Sequence, residues 1–158
     1  MSIKEIRKVV IAGGGLMGAG ISQMFPQYGY DTVLYSVSEM DFVKACHVID
    51  KSQQVLVENG RLTAEESKKI KESICLTTDK ECFRDADLVI EAIPEHIEMK
   101  KEFYEEISSF VKEDAILTSN TSAISIDDLS AFVSHSERFC GTHFLNPPHI
   151  IPLVEITK

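Results

Sequence analysis

The sequence predicts an α/β fold: a mostly parallel sheet with helices on both faces, in a single domain. Three observations carry this expectation. Short apolar runs alternate with longer amphipathic stretches, as in strands joined by helical crossovers. The first apolar run, Val9-Val10-Ile11-Ala12, is continuous rather than alternating, as a strand buried on both faces requires. The alternation recurs too often for a helical bundle, and the segments between strands are too long for a sandwich. The 158 residues suit one domain, with a core large enough to fold without staples.

After the first strand, Gly13-Gly14-Gly15 breaks the run and a helical stretch follows from about Leu16 to Tyr28. Pro26 sits near the end of that stretch and favours early termination, and Gly29 fits a helix C-terminus. Thr32 to Tyr35 is the second strand. Glu39 to Asn59 has helical spacing, with Phe42, Val43, Cys46, Ile49, Val55 and Leu56 on roughly one side, and Asn59-Gly60 ends it. Thr63-Ala64-Glu65-Glu66 matches a capping box opening a charged helix to about Glu72, whose charges read as a solvated face with i,i+4 pairs. Ile74 to Leu76 and Leu88 to Ile93 are strands. Glu95 to Val111 is a charged amphipathic helix, Ala115 to Thr118 a strand and Ser125 to Phe132 a short helix. Phe139 to Phe144 and Leu153 to Ile156 complete the set as strands.

Composition excludes several classes of function. Hydrophobic residues make up 44% and charged residues 26%, ordinary for a globular protein. A net charge of −9 argues against a nucleic-acid partner, since phosphate contacts need a basic surface. No apolar run approaches the roughly 20 residues of a membrane span, and Met1 to Lys8 has no signal-peptide apolar core. Cys46, Cys75, Cys82 and Cys140 have no CxxC spacing and read as reduced, small core residues of a cytoplasmic protein. His47, His96 and His135 read as surface or packing histidines. Cys140, His143 and His149 lie close in sequence, but one cysteine and two histidines in a proline-rich loop are a poor zinc set, so no metal is expected.

Gly13-x-Gly15-x-x-Gly18 follows a strand and opens a helix, the context of a Rossmann-type dinucleotide site. Gly13 permits the tight turn, Gly15 admits a pyrophosphate close to the backbone, and Gly18 lets helix and strand pack closely. The phosphate then meets unpaired N–H groups at the helix start. Such a motif also expects an acidic residue about 20 positions on, at the end of the second strand. Here that strand ends in Ser36, with Glu39 and Asp41 following and Lys44 the closest cation. This favours NAD over NADP, without the usual carboxylate at the strand end.

Gly141-Thr142-His143-Phe144-Leu145-Asn146-Pro147-Pro148 closes another strand, where ligands bind in open α/β sheets, and Glu155 follows on the last strand. A histidine paired with a carboxylate is what alcohol oxidation needs: the imidazole takes the hydroxyl proton, and the carboxylate sets its tautomer. On spacing alone, a structural histidine and a surface glutamate read equally well. Asn120-Thr121-Ser122 also follows a strand. Ser122 can donate to a substrate oxygen or cap the helix near Ser125. Lys100 can equally be a solvated helix lysine, and Glu95 a first-turn carboxylate.

Taken in order, Gly13-x-Gly15-x-x-Gly18-Ala19-Gly20-Ile21, Asp87-Leu88-Val89-Ile90-Glu91-Ala92-Ile93-Pro94-Glu95, Ser119-Asn120-Thr121-Ser122, His143-Phe144-Leu145-Asn146-Pro147 and Leu153-Val154-Glu155 resemble the N-terminal domain of the L-3-hydroxyacyl-CoA dehydrogenase family. The resemblance runs over essentially the whole chain. The segment from Asn146 to Glu155 is also similar to the lambda-crystallin, L-gulonate and carnitine dehydrogenase branches of that superfamily.

The resemblance implies an NAD-dependent oxidoreductase of fatty acid β-oxidation acting on a 3-hydroxyacyl-CoA. It implies His143 as catalytic acid/base, Glu155 as its partner, Ser122 on the substrate's reacting oxygen, and Asn146 holding substrate or histidine. Cofactor contacts fall to Gly13, Gly15, Leu16, Met17, Gly18 and Ser36, with Glu95, Lys100 and Asn120 toward the nicotinamide half. Ser52 matches a position near the CoA moiety, whereas a family lysine is matched by Asn59 and an aspartate by Ser36. The resemblance further implies a helical domain after residues 1–158, through which the family dimerises, so the chain is expected to be a fragment. A free 3-hydroxy acid as substrate, and a nucleotide-binding module without turnover, are the alternatives.

Overall fold

The structure, a computed structural model, describes residues 5–158; the first four residues of the Met1 to Lys8 segment lie outside it. Seven strands form one sheet: β1 (Lys8–Ala12), β2 (Asp31–Tyr35), β3 (Ile74–Thr77), β4 (Leu88–Glu91), β5 (Ile116–Ser119), β6 (Phe139–Phe144) and β7 (Val154–Thr157). Their order across the sheet is β3-β2-β1-β4-β5-β6-β7. Every pairing is parallel except β6 with β7. The chain therefore reverses direction across the sheet between β1 and β4, the switch point where open α/β sheets bind ligands.

The continuous apolar strands are explained by two cores, one on each side. Along β1, Val9 and Ile11 enter one core and Val10 and Ala12 the other, because successive side chains point to opposite faces. The first core takes Ala19 and Ile21 from α1 (Leu16–Ser22) and Ala45 and Ile49 from α2 (Glu39–Glu58). The second takes Tyr104 and Ile107 from α4 (Ile97–Ile107) and Leu129 from α5 (Ile126–Ser130). Edge-to-face rings run through it, with Tyr104 at 5.2 Å from Phe139 and Tyr35 at 4.9 Å from Phe83. On the outer side, α3 (Ala64–Glu72) has both halves of the capping box, and Lys69–Glu65 and Lys68–Glu72 pair at i,i+4 as expected.

Several expectations need correction. The stretch from Leu16 to Tyr28 is not one helix: α1 ends at Ser22, and Pro26–Tyr28 forms a separate 3-10 turn closed by left-handed Gly29. Proline has no N–H for the preceding turn, which explains the break. The helix expected from Glu95 to Val111 is shorter, running from Ile97 to Ile107. On α2 the buried face is Ala45, Ile49, Ser52, Gln53 and Leu56, while Val43, Cys46 and Val55 are exposed. Gln53 sits in this face because its amide donates to Gln23 Oε1 of the α1 side at 2.9 Å, which pairs two buried polar groups. Nor are the cysteines core residues: Cys46 and Cys75 are exposed, and Cys82 and Cys140 are half-buried.

Candidate active site

Two clefts lie at the carboxyl edge of the sheet. The first, of ≈ 640 Å³, lies over the switch point and is lined by Gly13, Gly15, Leu16, Met17, Ser36 and Ile93 among others. Gly13 takes φ +124°, and a Cβ there would stand 2.5 Å from the Ala92 carbonyl oxygen. A Cβ on Gly18 would stand 1.8 Å from the Gly13 carbonyl oxygen, so the helix lies directly on the turn. Gly15 differs, because nothing stands within 4 Å of the place its Cβ would occupy. The turn therefore has tight packing on its protein side and open space on its cleft side, as a bound pyrophosphate requires. Ser36 directly follows β2 in this cleft, 4% exposed, and its hydroxyl donates to Asp41 Oδ2 at 2.7 Å.

The second cleft, of ≈ 650 Å³, is lined by Ser122, His143 and Glu155 among others. His143 and Glu155 are directly opposed across the antiparallel β6–β7 pair, so both project from the same face. His143 Nδ1 lies 2.6 Å from Glu155 Oε2, and His143 Nε2 lies 3.0 Å from Ser122 Oγ. An ionised carboxylate only accepts, so Nδ1 carries the proton and donates to Glu155. Nε2 is then the lone-pair nitrogen and accepts from the Ser122 hydroxyl. Ser122 does not cap the next helix, since Ser125 does, accepting from the Asp128 amide.

Glu95 holds Ser122 in place. Its Oε1 accepts from the Ser122 amide at 2.9 Å, the Ala123 amide at 3.0 Å and the Thr121 hydroxyl. Partial burial pushes the Glu95 carboxyl up, but these donors and the Lys100 charge outweigh it and bring it down to about 2. Lys100 lies 3.3 Å from Glu95 Oε2 and 2.5 Å from Glu91 Oε1. Glu91, fully buried at the end of β4, also accepts from the Ile93 amide at 2.8 Å, Ser119 Oγ at 2.6 Å and Tyr104 Oη at 3.2 Å. A polar chain thus runs from the switch point under the sheet edge to the histidine.

The other expected site residues are placed as follows. Lys100 is neither a solvated lysine nor part of the cleft surface; at 1% exposure it lies beneath Glu91 and Glu95. Asn120 accepts from the Phe144 amide at 2.8 Å and ties the ends of β5 and β6 together. Asn146 is exposed, and its side chain has no hydrogen-bond partner among the described residues. Ser52 faces inward on α2 and lines neither cleft. The sequence reading missed Glu91, Thr121 and Tyr104. The signal was Glu91 itself: a carboxylate closing a buried apolar strand demands a partner, and Lys100 is nine positions on.

With this geometry, comparison with known proteins gives a consistent answer. Residues 8–158 match the family model described as 3-hydroxyacyl-CoA dehydrogenase, NAD binding domain. The chain belongs to that family. Among curated relatives, the glyoxysomal fatty acid beta-oxidation multifunctional protein MFP-a of Brassica napus is 33% identical over 155 residues, covering 98% of this chain and 21% of that protein. Among solved structures, 3-hydroxybutyryl-CoA dehydrogenase of Escherichia coli is 34% identical with a TM-score of 0.90, over 97% of this chain and 32% of that one. The NAD+-dependent 5-formyl-3-hydroxy-2-methylpyridine 4-carboxylic acid 5-dehydrogenase is also 34% identical, with a TM-score of 0.84, over 96% of this chain and 48% of that one. The chain spans about a fifth of the length of the curated relative. NAD is the cofactor of the family, and the Rossmann-type sheet is the expected one. No helix among the described residues is long and apolar enough to cross a membrane.

Proposed function

We propose that this chain supplies the cofactor site and the acid–base pair for oxidation of an L-3-hydroxyacyl-CoA to its 3-oxo product. The observation that carries this reading is the Ser122–His143–Glu155 relay in one cleft, with a glycine turn open toward a second cleft of the same sheet. Gly13, Gly15, Leu16, Met17, Gly18 and Ser36 would hold NAD, which when bound would supply the hydride acceptor for the hydroxyl-bearing carbon. The chain's own work is on the proton. His143 Nε2 takes it from the substrate hydroxyl, and Nδ1–H donates to Glu155 throughout, so the imidazolium forms beside a carboxylate. Ser122, held through its backbone by Glu95, donates to the substrate oxygen as that oxygen becomes the ketone. Asn146 and Asn120 flank the substrate and the nicotinamide ribose, and Lys100 acts on the cofactor only through Glu95; Ser52, buried on α2 and lining neither cleft, has no substrate contact in this reading.

A helical domain beyond residues 1–158, through which the protein dimerises, completes the substrate pocket in this reading. The free thiols favour a reducing compartment, which we take to be the cytoplasm. A second reading, oxidation of a hydroxy group on a free acid, is supported by the equal identity to the pyridine carboxylic acid enzyme. A panel pairing 3-hydroxybutyryl-CoA with free 3-hydroxybutyrate, L-gulonate and carnitine separates the two. His143→Ala is expected to lower kcat by about 10² to 10⁴. A loss below tenfold refutes the assigned proton transfer.

A further inference from the structure

The strand end where a dinucleotide site of this kind places its ribose-binding carboxylate carries Ser36 instead, yet a carboxylate is present at that spot. Asp41, in the first turn of α2, is held by the Ser36 hydroxyl at 2.7 Å. A Cβ on Gly14 would stand 2.9 Å from Asp41 Cβ and 3.4 Å from Ser36 Oγ, so both side chains lie directly against the glycine turn. Both line the cofactor cleft. Ser36 occupies only Oδ2 of Asp41; Oδ1 accepts from no other group among the described residues. No lysine or arginine lines this cleft, whereas Asp41, Glu102 and Glu106 do. Lys80 stands outside the lining, near Tyr35 and ion-paired with Glu106.

We infer that Asp41, positioned by Ser36, is the residue that binds the adenosine ribose hydroxyls and excludes a 2′-phosphate. The carboxylate has moved from the strand end to the following helix turn, and Ser36 orients it. Two hydroxyls donating to a carboxylate are matched donors and acceptor. A phosphate in their place sets one anion against another with no cation to offset it.

The inference rests on NAD binding by the family and is independent of the substrate proposed above. Its test is therefore binding and not turnover. Dissociation constants of NADH and NADPH are measured by calorimetry on the intact protein, for wild type, Asp41→Asn, Asp41→Ala and Ser36→Ala, with a thermal melt on each. Wild type is expected to bind NADH at least tenfold more tightly than NADPH. Hydrogen bonds to a charged group predict a loss of roughly ten- to hundredfold for NADH in both Asp41 variants. NADPH binding holds or tightens in Asp41→Asn, so the preference collapses. Ser36→Ala, which releases Asp41 but keeps its carboxylate, lowers the NADH preference by a smaller factor. An NADH constant within threefold of wild type in folded Asp41 variants overturns the assignment. So does an equal loss for NADH and NADPH, which marks a structural role. Should the variants melt early, ADP-ribose and its 2′-phosphate are compared on wild type, where equal affinity refutes the inference. Intact NADH selectivity with no turnover of any hydroxyacyl-CoA would instead sink the proposed reaction and leave this inference standing.

Discussion

Lys100→Met is the sharpest perturbation of the polar chain beneath the site. The side chains of Lys100 and Glu91 are 1% and 0% exposed, with Nζ 2.5 Å from Oε1. At an effective dielectric of about 20 their attraction at this separation is roughly 7 kcal/mol, much of which offsets the desolvation of both ions. Removing only the lysine leaves a buried carboxylate with its three remaining donors, Ile93 N, Ser119 Oγ and Tyr104 Oη. Breaking a buried pair by removing one partner costs about 3 to 5 kcal/mol, because the remaining charge is left without its counterion. For a domain of this size that lowers Tm by roughly 6 to 20 °C. Urea unfolding of wild type and variant at pH 7 measures it. Glu91→Gln/Lys100→Met, which removes both charges, should recover most of the loss. A deficit below about 1 kcal/mol, or a double variant no more stable than Lys100→Met, refutes the claim that this pair is a buried charge pair.

The loop carrying Ser122 should be acid-sensitive. Glu95 is held near 2 in the folded state, below its ordinary 4.5, so its contribution is complete above about pH 4.5 and is lost as pH falls through about 2. The stability difference between wild type and Glu95→Gln should be flat above pH 4.5 and close progressively below it; a difference independent of pH from 7 to 2 contradicts the assignment. Thiol labelling should be graded by position. Burial pushes the Cys82 thiol up to about 12 and also raises Cys140, while Cys46 and Cys75 are exposed. At pH 8 a disulfide reagent should modify Cys46 and Cys75 first, and a single common rate for all four would refute it.

Much of this arrangement was legible wherever the cause is local. The glycine turn follows from three positions within six residues, and the capping box at Thr63 and Glu66 from two positions three apart. The continuous apolar run of β1 announced a two-faced core, and the structure fills both faces. The His143 and Glu155 pair was visible as two suitable residue types, but spacing left a bland reading equally open.

What only the tertiary structure decided is which distant groups meet. The β6–β7 register puts His143 opposite Glu155, and the β5 end delivers Ser122 from 21 positions away in sequence. Lys100 looked like any helix lysine until Glu91 and Glu95 closed over it. The buried face of α2 turned on a glutamine pair with the α1 side, which periodicity of apolar residues alone does not register. Asp41 looked misplaced until the fold set it beside Ser36 and the glycine turn. Turns, caps and strand character arise from hydrogen bonds and sterics within a few residues, so the sequence determines them by itself. Charge pairing and burial arise between segments, and only the packed sheet edge says which carboxylate is free to meet a ligand.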